Sequence, residues 1–154
     1  MKNIIEILSA SHKVTREEFL ELEKLAIYGD VEARFKLGYF YHKRRRDELD
    51  TKSALQWFEL AAKSEHIEAQ YHYANYLMQA NSAFEAFIWY QKAAKQGYLS
   101  AQISIANMYK QGLGVKADKL EAQKWYEKAA NQGDETAKLA LKQFELTAND
   151  AIAG

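Results

Sequence analysis

The sequence of 154 residues contains neither cysteine nor proline. Without cysteine there is no disulfide, no thiolate ligand for zinc and no cysteine nucleophile. Average proline usage of about 5% would give roughly eight prolines in this length. Because proline interrupts helices, its absence is typical of an all-helical chain.

The sequence also lacks an excess of charge and a long apolar run. Its formal net charge is +0 and its pI is near 6.9, so no global field favours nucleic acid or an anionic membrane. No stretch approaches the roughly 20 apolar residues of a membrane span. The first eight residues are too short and too charged for a signal peptide, since Glu6 interrupts the apolar run. We therefore expect a soluble, cytoplasmic protein.

What the sequence does contain is a repeat. The segment WYEKAANQG at 125–133 occurs almost unchanged at 89–97 and more loosely at 57–65. All three tryptophans of the chain occupy the same position in it, at spacings of 32 and 36 residues. A period within about 20–50 residues indicates an architecture of stacked repeats.

Each repeat predicts two helices. Around each tryptophan, apolar residues recur at i, i+3, i+4, i+7 and i+8, which places them on one helix face. Upstream, an alanine marks the register of each first helix, and a small residue follows five positions later in the complete repeats, allowing close helix approach. The register alanines are Ala33, Ala69, Ala101 and Ala137, and the small residues are Gly38, Ala74 and Ala106.

Turn and capping residues set the predicted boundaries. We predict a capping helix over 15–28, repeats over 29–64, 65–96 and 97–132, a closing half-repeat over 133–147, and a flexible tail over 148–154. Residues 1–14 fit a short helix, a strand or a mobile arm, which would cap the array or occupy its groove. The predicted helix stops are Gly29, Gly97 and Gly133, and the predicted N-caps are Thr15 (in a capping box with Glu18), Asp30, Asp50, Ser82 and Asp118.

The pattern AQxxxAxxYxxGxGV at 101–115, followed by EAxxWYxxAAxxG at 121–133, closely resembles the Sel1-like repeat. This family belongs to the tetratricopeptide-like α-solenoids, and the resemblance covers residues 29 to about 144. It implies an all-α α-solenoid of stacked antiparallel helix pairs. It also implies an adaptor or scaffold that binds other proteins. Some bacterial members act in signalling or as immunity proteins that neutralise toxins.

In similar solenoids the first helices line a concave groove. Counting from the register alanines, the residues at −1, +2, +6, +9 and +10 point inward in such folds. We expect them to bind a protein or peptide segment through aromatic area and amide hydrogen bonds. Phe35, Tyr71 and Ile103 could equally be core residues. The predicted partner-binding residues are Glu32, Phe35, Tyr39, His42, Lys43, Glu68, Tyr71, Asn75, Met78, Asn107, Lys110 and Gln111, with Gln79, Ser100 and Ile103 at the remaining positions.

Other functions have weaker support. The basic cluster Arg44–Arg46, with Lys52, could hold nucleic acid or a phosphorylated ligand, although Asp47 and Glu48 follow it at once. The Gly-Leu-Gly at 112–114 lacks the ending of a phosphate loop, and no His-Glu-x-x-His motif is present. We therefore expect no catalysis, cofactor or metal site, and a monomer or weak homodimer.

Overall fold

The computed structural model describes residues 14–44 and 46–153, with side chains up to residue 146. These residues form eight helices and no strand, which confirms the predicted all-α class. The predictions made for residues 1–13 and for Arg45 lie outside the described residues. The helices are α1 (Arg16–Ile27), α2 (Val31–Arg44), α3 (Glu48–Lys63), α4 (Ile67–Gln79), α5 (Ala83–Lys95), α6 (Leu99–Gln111), α7 (Lys119–Asn131) and α8 (Glu135–Ala153).

Side chains at three predicted N-caps bind the first turn of their helix. Thr15 and Glu18 form the predicted capping box, in which each side chain accepts a hydrogen bond from the other's backbone N–H. The Asp30 carboxylate accepts from the N–H of Ala33 at 2.6 Å. Asp118 accepts from two N–H groups of α7 at 2.9 and 3.0 Å. These caps fix where α1, α2 and α7 begin.

Of the two other predicted N-caps, Asp50 is wrong, whereas Ser82 lies at the predicted N-cap position. Helix α3 begins at Glu48, so Asp47 caps it and accepts from the N–H of Asp50 at 2.9 Å. Asp50 lies inside the first turn and is only 3% exposed. Ser82 precedes α5 but makes no capping hydrogen bond, because its ψ of 59° departs from the extended backbone that N-caps adopt.

The helix ends follow the predicted glycines, with one exception. Gly97 and Gly133 have φ values of +89° and +93°, in the left-handed region that glycine enters without steric cost. Glu65 takes the corresponding place after α3 with φ +66°. A side chain therefore occupies a left-handed backbone conformation that Gly29, Gly97 and Gly133 adopt at the other junctions between repeats, and Asn81 after α4 does the same with φ +59°.

The last helix is longer than predicted. The sequence predicts a helix to about residue 147 and a frayed tail beyond it, but α8 continues to Ala153. Neither glycine nor proline occurs between Glu135 and Ala153, so no residue there interrupts the helical backbone.

The chain divides into two compact units between Ala69 and Gln70. In the first unit, α2 packs against α1 and α3. Gly38 permits the close contact with α3, since a Cβ atom added there would lie 2.7 Å from the Phe58 ring. The core of α1 and α2 consists of Leu22, Ala26, Ala33 and Leu37, with Phe19, Leu25 and Trp57 packed against it.

In the second unit, α6 packs against α5 and α7, and α7 packs against α8. The tryptophans lie on the predicted apolar stripes but differ in burial. Trp125 is 6% exposed, whereas Trp89 is half-buried against Tyr73. Many of the buried positions of this unit are alanines: Ala74, Ala86, Ala93, Ala94, Ala101, Ala106, Ala122, Ala129 and Ala137.

Candidate protein-interaction surface

The first-unit part of the predicted face lies along α2. Glu32 and Lys43 are exposed, and Phe35, Tyr39 and His42 are half-buried. The Tyr39 ring centroid lies 6.1 Å from that of Phe35 and 6.3 Å from that of His42. The Lys43 ammonium lies 5.2 Å from the Tyr39 ring centroid. The result is a continuous aromatic strip with a charged group at each end.

Phe35 also belongs to the packing of the repeat. Its ring stacks on His66 at 4.3 Å and lies 6.0 Å from the buried ring of Phe58. It therefore combines the two roles that the sequence leaves open. One part of the ring supports the helix pair, and the rest remains accessible.

His66 has a role that sequence reasoning missed. It precedes α4 at the position that Asp30 and Asp134 occupy before α2 and α8. Its Nδ1 accepts from the N–H of Ala69 at 3.2 Å, as Asp30 accepts in its own repeat. Its Nε2 lies 3.2 Å from Glu32. The signal was available in the register, because the ring nitrogen of His66 takes the place of the carboxylate oxygens of Asp30 and Asp134.

Of the predicted residues on α4, Glu68 is exposed and lies in the first unit, whereas Tyr71, Asn75 and Met78 are half-buried and lie in the second. The Tyr71 ring lies 5.7 Å from Tyr90 and 5.1 Å from Tyr98. One part of the Tyr71 side chain therefore packs against Tyr90 of α5 and Tyr98 before α6, as part of the Phe35 ring packs within the first unit.

Two asparagines of the second unit are held in the same way. The Tyr90 hydroxyl donates to Asn75 Oδ1 at 2.5 Å, and the Tyr126 hydroxyl donates to Asn107 Oδ1 at 2.6 Å. Burial raises the pKa of both tyrosines above the usual value near 10, so both hydroxyls remain protonated donors at neutral pH. Each hydrogen bond fixes its amide with the NH₂ group left to donate elsewhere.

The first repeat has neither the asparagine nor the tyrosine of this pair. Tyr39 stands in the register position of Asn75, and Phe58, which has no hydroxyl, stands in that of Tyr90. The first-unit face is consequently aromatic where the second-unit face presents amides.

The remaining predicted residues lie at the end of α6. Lys110 and Gln111 are exposed, and the Lys110 ammonium lies 5.9 Å from the Phe144 ring centroid. Ile103 is half-buried. Lys110 therefore adds a positive charge beside Asn107 on the second-unit face.

Hydrogen bonds between polar side chains join the two helices of each repeat, and they were not predicted. Gln96 donates to Gln70 at 3.0 Å, and Gln132 donates to Gln102 at 2.8 Å. Each pair joins the end of a second helix to a first helix. In the first repeat, Arg34 and Ser64 make the equivalent contact at 3.3 Å. The recurrence of Gln before Gly97 and Gly133 was the sequence signal for them.

The basic cluster is partly committed to the fold. Arg44 Nε lies 3.1 Å from the buried Asp50 carboxylate, which also accepts from the Arg46 N–H at 3.0 Å. Lys52 lies 2.8 Å from Glu48. The structure thus assigns Arg44 to holding the turn between α2 and α3.

The described residues contain no group of three or more His, Asp or Glu residues that could hold a metal ion. Among the helices described, none combines the length and apolar character needed to span a bilayer.

The Sel1 repeat family matches residues 31–66, 67–98 and 99–134. The chain belongs to the Sel1 repeat family. The match shows three Sel1 repeats, and each matched segment begins two residues after the corresponding predicted repeat. The family is one of binding scaffolds built from helix pairs, and the predicted membership is confirmed.

Solved structures agree with this membership. A Sel1 repeat protein from Oxalobacter formigenes is 32% identical over 82% of this chain and 98% of its own, with a TM-score of 0.71. A protective antigen of uropathogenic Escherichia coli strains with an SLR fold is 34% identical over 77% of this chain, with a TM-score of 0.70. This Sel1 repeat chain spans only 26% of that antigen.

A more distant structure shares the fold alone. Cysteine-rich protein B of Helicobacter pylori is 19% identical, covers 82% of this chain and 98% of its own, and has a TM-score of 0.61. No match is found among curated proteins.

Proposed function

We propose that this Sel1 repeat protein is an adaptor that binds a segment of another protein on its first helices. The observation that carries the proposal is the repeated Tyr–Asn pair in the second unit. Asn75 and Asn107 are half-buried, and each has its oxygen bound by a tyrosine. Their NH₂ groups make no other hydrogen bond within the described residues, so they can donate to the backbone carbonyls of a bound segment.

The rings beside these amides supply contact area. Tyr71 lies on the same helix as Asn75, one turn earlier, and Lys110 lies three residues after Asn107. Tyrosine buries a large surface at a small cost in conformational entropy, which suits a binding face. In the first unit, Tyr39 and His42 supply aromatic area beside the charges of Glu32 and Lys43.

We expect replacement of Asn75 and Asn107 together by Ala to reduce partner capture at least tenfold without loss of helicity. The measurement is quantitative affinity capture from native lysate, with circular dichroism as the folding check. The matched control replaces Lys95 and Glu127 by Ala, two exposed residues of second helices whose joint removal leaves the net charge unchanged. Equal capture by both variants would contradict binding through the asparagines.

A toxin-neutralising immunity protein is a narrower form of the same proposal. Its mechanism is again protein binding, so the captured partner would be a toxin whose activity falls when this chain is added. A binder of nucleic acid through Arg44 and Arg46 is not favoured, because the Arg44 guanidinium pairs with the Asp50 carboxylate. The cytoplasmic location stays a prediction.

A further inference from the structure

The helix pairs of this protein show how a first helix is covered. In the first repeat, three residues of α2 surround the Phe58 ring of α3. Phe35 and His42 lie 6.0 and 6.1 Å from it, and Gly38 lies beneath it, so close that an added Cβ would be 2.7 Å from the ring. Phe58 is thus packed between the rings of Phe35 and His42 and against the backbone of Gly38.

On α8 the same three positions are Leu139, Lys142 and Leu146, counted from Ala137 as Phe35, Gly38 and His42 are counted from Ala33. Leu139 is 63% exposed, Leu146 is 57% exposed and Lys142 is exposed. Helix α8 packs on α7 through its other side, where Phe144 lies 6.0 Å from Tyr126. The side bearing Leu139 carries no covering helix within the described residues.

Lys142 determines what can cover this face. Glycine at this position admits an aromatic ring in direct contact with the backbone, whereas a lysine side chain fills that space. Among the described side chains, no carboxylate lies within ion-pair distance of Lys142, and the neighbouring Glu135 pairs with Lys138 at 2.7 Å. A carboxylate placed between the two leucines would meet an ammonium in a partly dehydrated setting, where the Coulomb attraction between opposite charges is greater than in water and a like charge is disfavoured.

We propose that α8 is a second docking surface, which accepts an amphipathic helix from a protein partner. The partner helix places Glu or Asp where α3 places Phe58, and its carboxylate pairs with Lys142. Its flanking apolar residues cover Leu139 and Leu146. The proposal goes beyond binding at Asn75 and Asn107 and uses different residues.

A second copy of this chain fits the face less well. In a two-fold contact centred on this patch, Lys142 would face Lys142 of the other copy, and like charges repel. The positive charge between two apolar residues instead favours an acidic, apolar partner.

The test uses synthetic helical peptides based on α7, the chain's own covering helix. Three stapled peptides with the sequence of Lys119–Asn131 carry Tyr, Glu or Lys at the position of Tyr126, which corresponds to Phe58. Binding to the full chain is followed by fluorescence anisotropy. We expect the Glu peptide to bind at least tenfold more tightly than the Lys and Tyr peptides.

Charge reversal identifies the site. Lys142→Glu should invert the preference between the Glu and Lys peptides, whereas the control Lys95→Glu, with the same change in net charge at an exposed position of α5, should not. Leu139→Ser should weaken all binding, and the variant lacking Asn75 and Asn107 should bind the Glu peptide as the wild type does. This last result separates the present proposal from the proposed function.

The proposal is overturned if the Glu peptide does not bind, if the Tyr peptide binds as tightly, or if Lys142→Glu leaves the preference unchanged. Sedimentation gives an independent check. A wild-type dimer that Leu139→Ser dissociates would assign the face to a second copy of the chain and equally overturn the proposal.

Discussion

At the scale of single residues, burial separates three tryptophans that are equivalent in the sequence. Trp125 is 6% exposed and its ring lies 4.0 Å from the Lys128 ammonium. Trp57 and Trp89 are half-buried. The apolar area removed from water, and with it the stabilisation, is therefore largest for Trp125.

We expect Trp125→Ala to lower the free energy of unfolding by about 3–5 kcal/mol, the usual loss for a buried tryptophan. Trp89→Ala should cost less, because part of its ring already meets water. Urea unfolding followed by circular dichroism measures both. A loss of stability for Trp89→Ala as large as that for Trp125→Ala would contradict the expectation that the more buried tryptophan contributes more.

At Gly38, the sign of the change in the free energy of unfolding distinguishes crowding against Phe58 from the helix propensity of the new residue. In an open helix, Gly→Ala stabilises by roughly 0.5–1 kcal/mol. At Gly38 the new Cβ would lie 2.7 Å from the buried Phe58 ring, so we expect a loss of about 1–3 kcal/mol, as for other overpacked cores. Phe58→Leu in the same chain should reduce the penalty of Gly38→Ala in a double-mutant cycle, and additive penalties would argue against the contact.

At the scale of helices and their junctions, the end of α3 differs from the ends of α5 and α7. Glu65 has φ +66° where Gly97 and Gly133 have φ near +90°. A left-handed conformation costs a residue with a Cβ roughly 1 kcal/mol. The junction between the first two repeats is therefore strained where the later ones are not.

We expect Glu65→Gly to raise the free energy of unfolding by roughly 0.5–1 kcal/mol, since glycine adopts this conformation without the steric cost. The reciprocal change, Gly97→Ala, should lower it by about 1 kcal/mol. An added Cβ at Gly97 meets no atom within 4 Å, so its effect isolates the backbone cost. Thermal melts of both variants check the pair, and a shift of the same sign in both would be inconsistent with this explanation.

At the scale of the whole molecule, buried tyrosines make the free energy of unfolding depend on pH in the alkaline range. Burial raises the pKa of Tyr90 and of Tyr126 in the folded protein, whereas unfolded tyrosines ionise near pH 10. Below pH 10 both states hold these protons and the groups contribute nothing to the pH dependence. Above it, the unfolded state loses protons first, so the free energy of unfolding falls as pH rises.

We expect a lower urea midpoint at pH 11 than at pH 9. Replacing Tyr90 and Tyr126 together by Phe should flatten this fall, with each protein compared with itself at pH 9. If the double variant lost as much between the two pH values as the wild type, ionisation of these two tyrosines would not be the cause.

The repeat pattern was enough to predict the helices, their pairing and most of their limits, because apolar spacing and glycine stops act locally. The cap at Asp50 was wrong because α3 begins three residues earlier than predicted, so that the Asp47 carboxylate and not that of Asp50 accepts from the N–H groups of the first turn. The roles of Asn75 and Asn107 depend on tyrosines 15 and 19 residues away, so register alone placed them but did not show how they are held.

The placement of one indole in each repeat has an optical consequence. Trp57 reports on the first unit, and Trp89 and Trp125 report on two helices of the second, in surroundings of different polarity. Three single-tryptophan variants would thus turn intrinsic fluorescence into a separate signal for each repeat. The order in which the repeats lose structure could then be followed by the wavelength of the fluorescence emission maximum, without an attached dye.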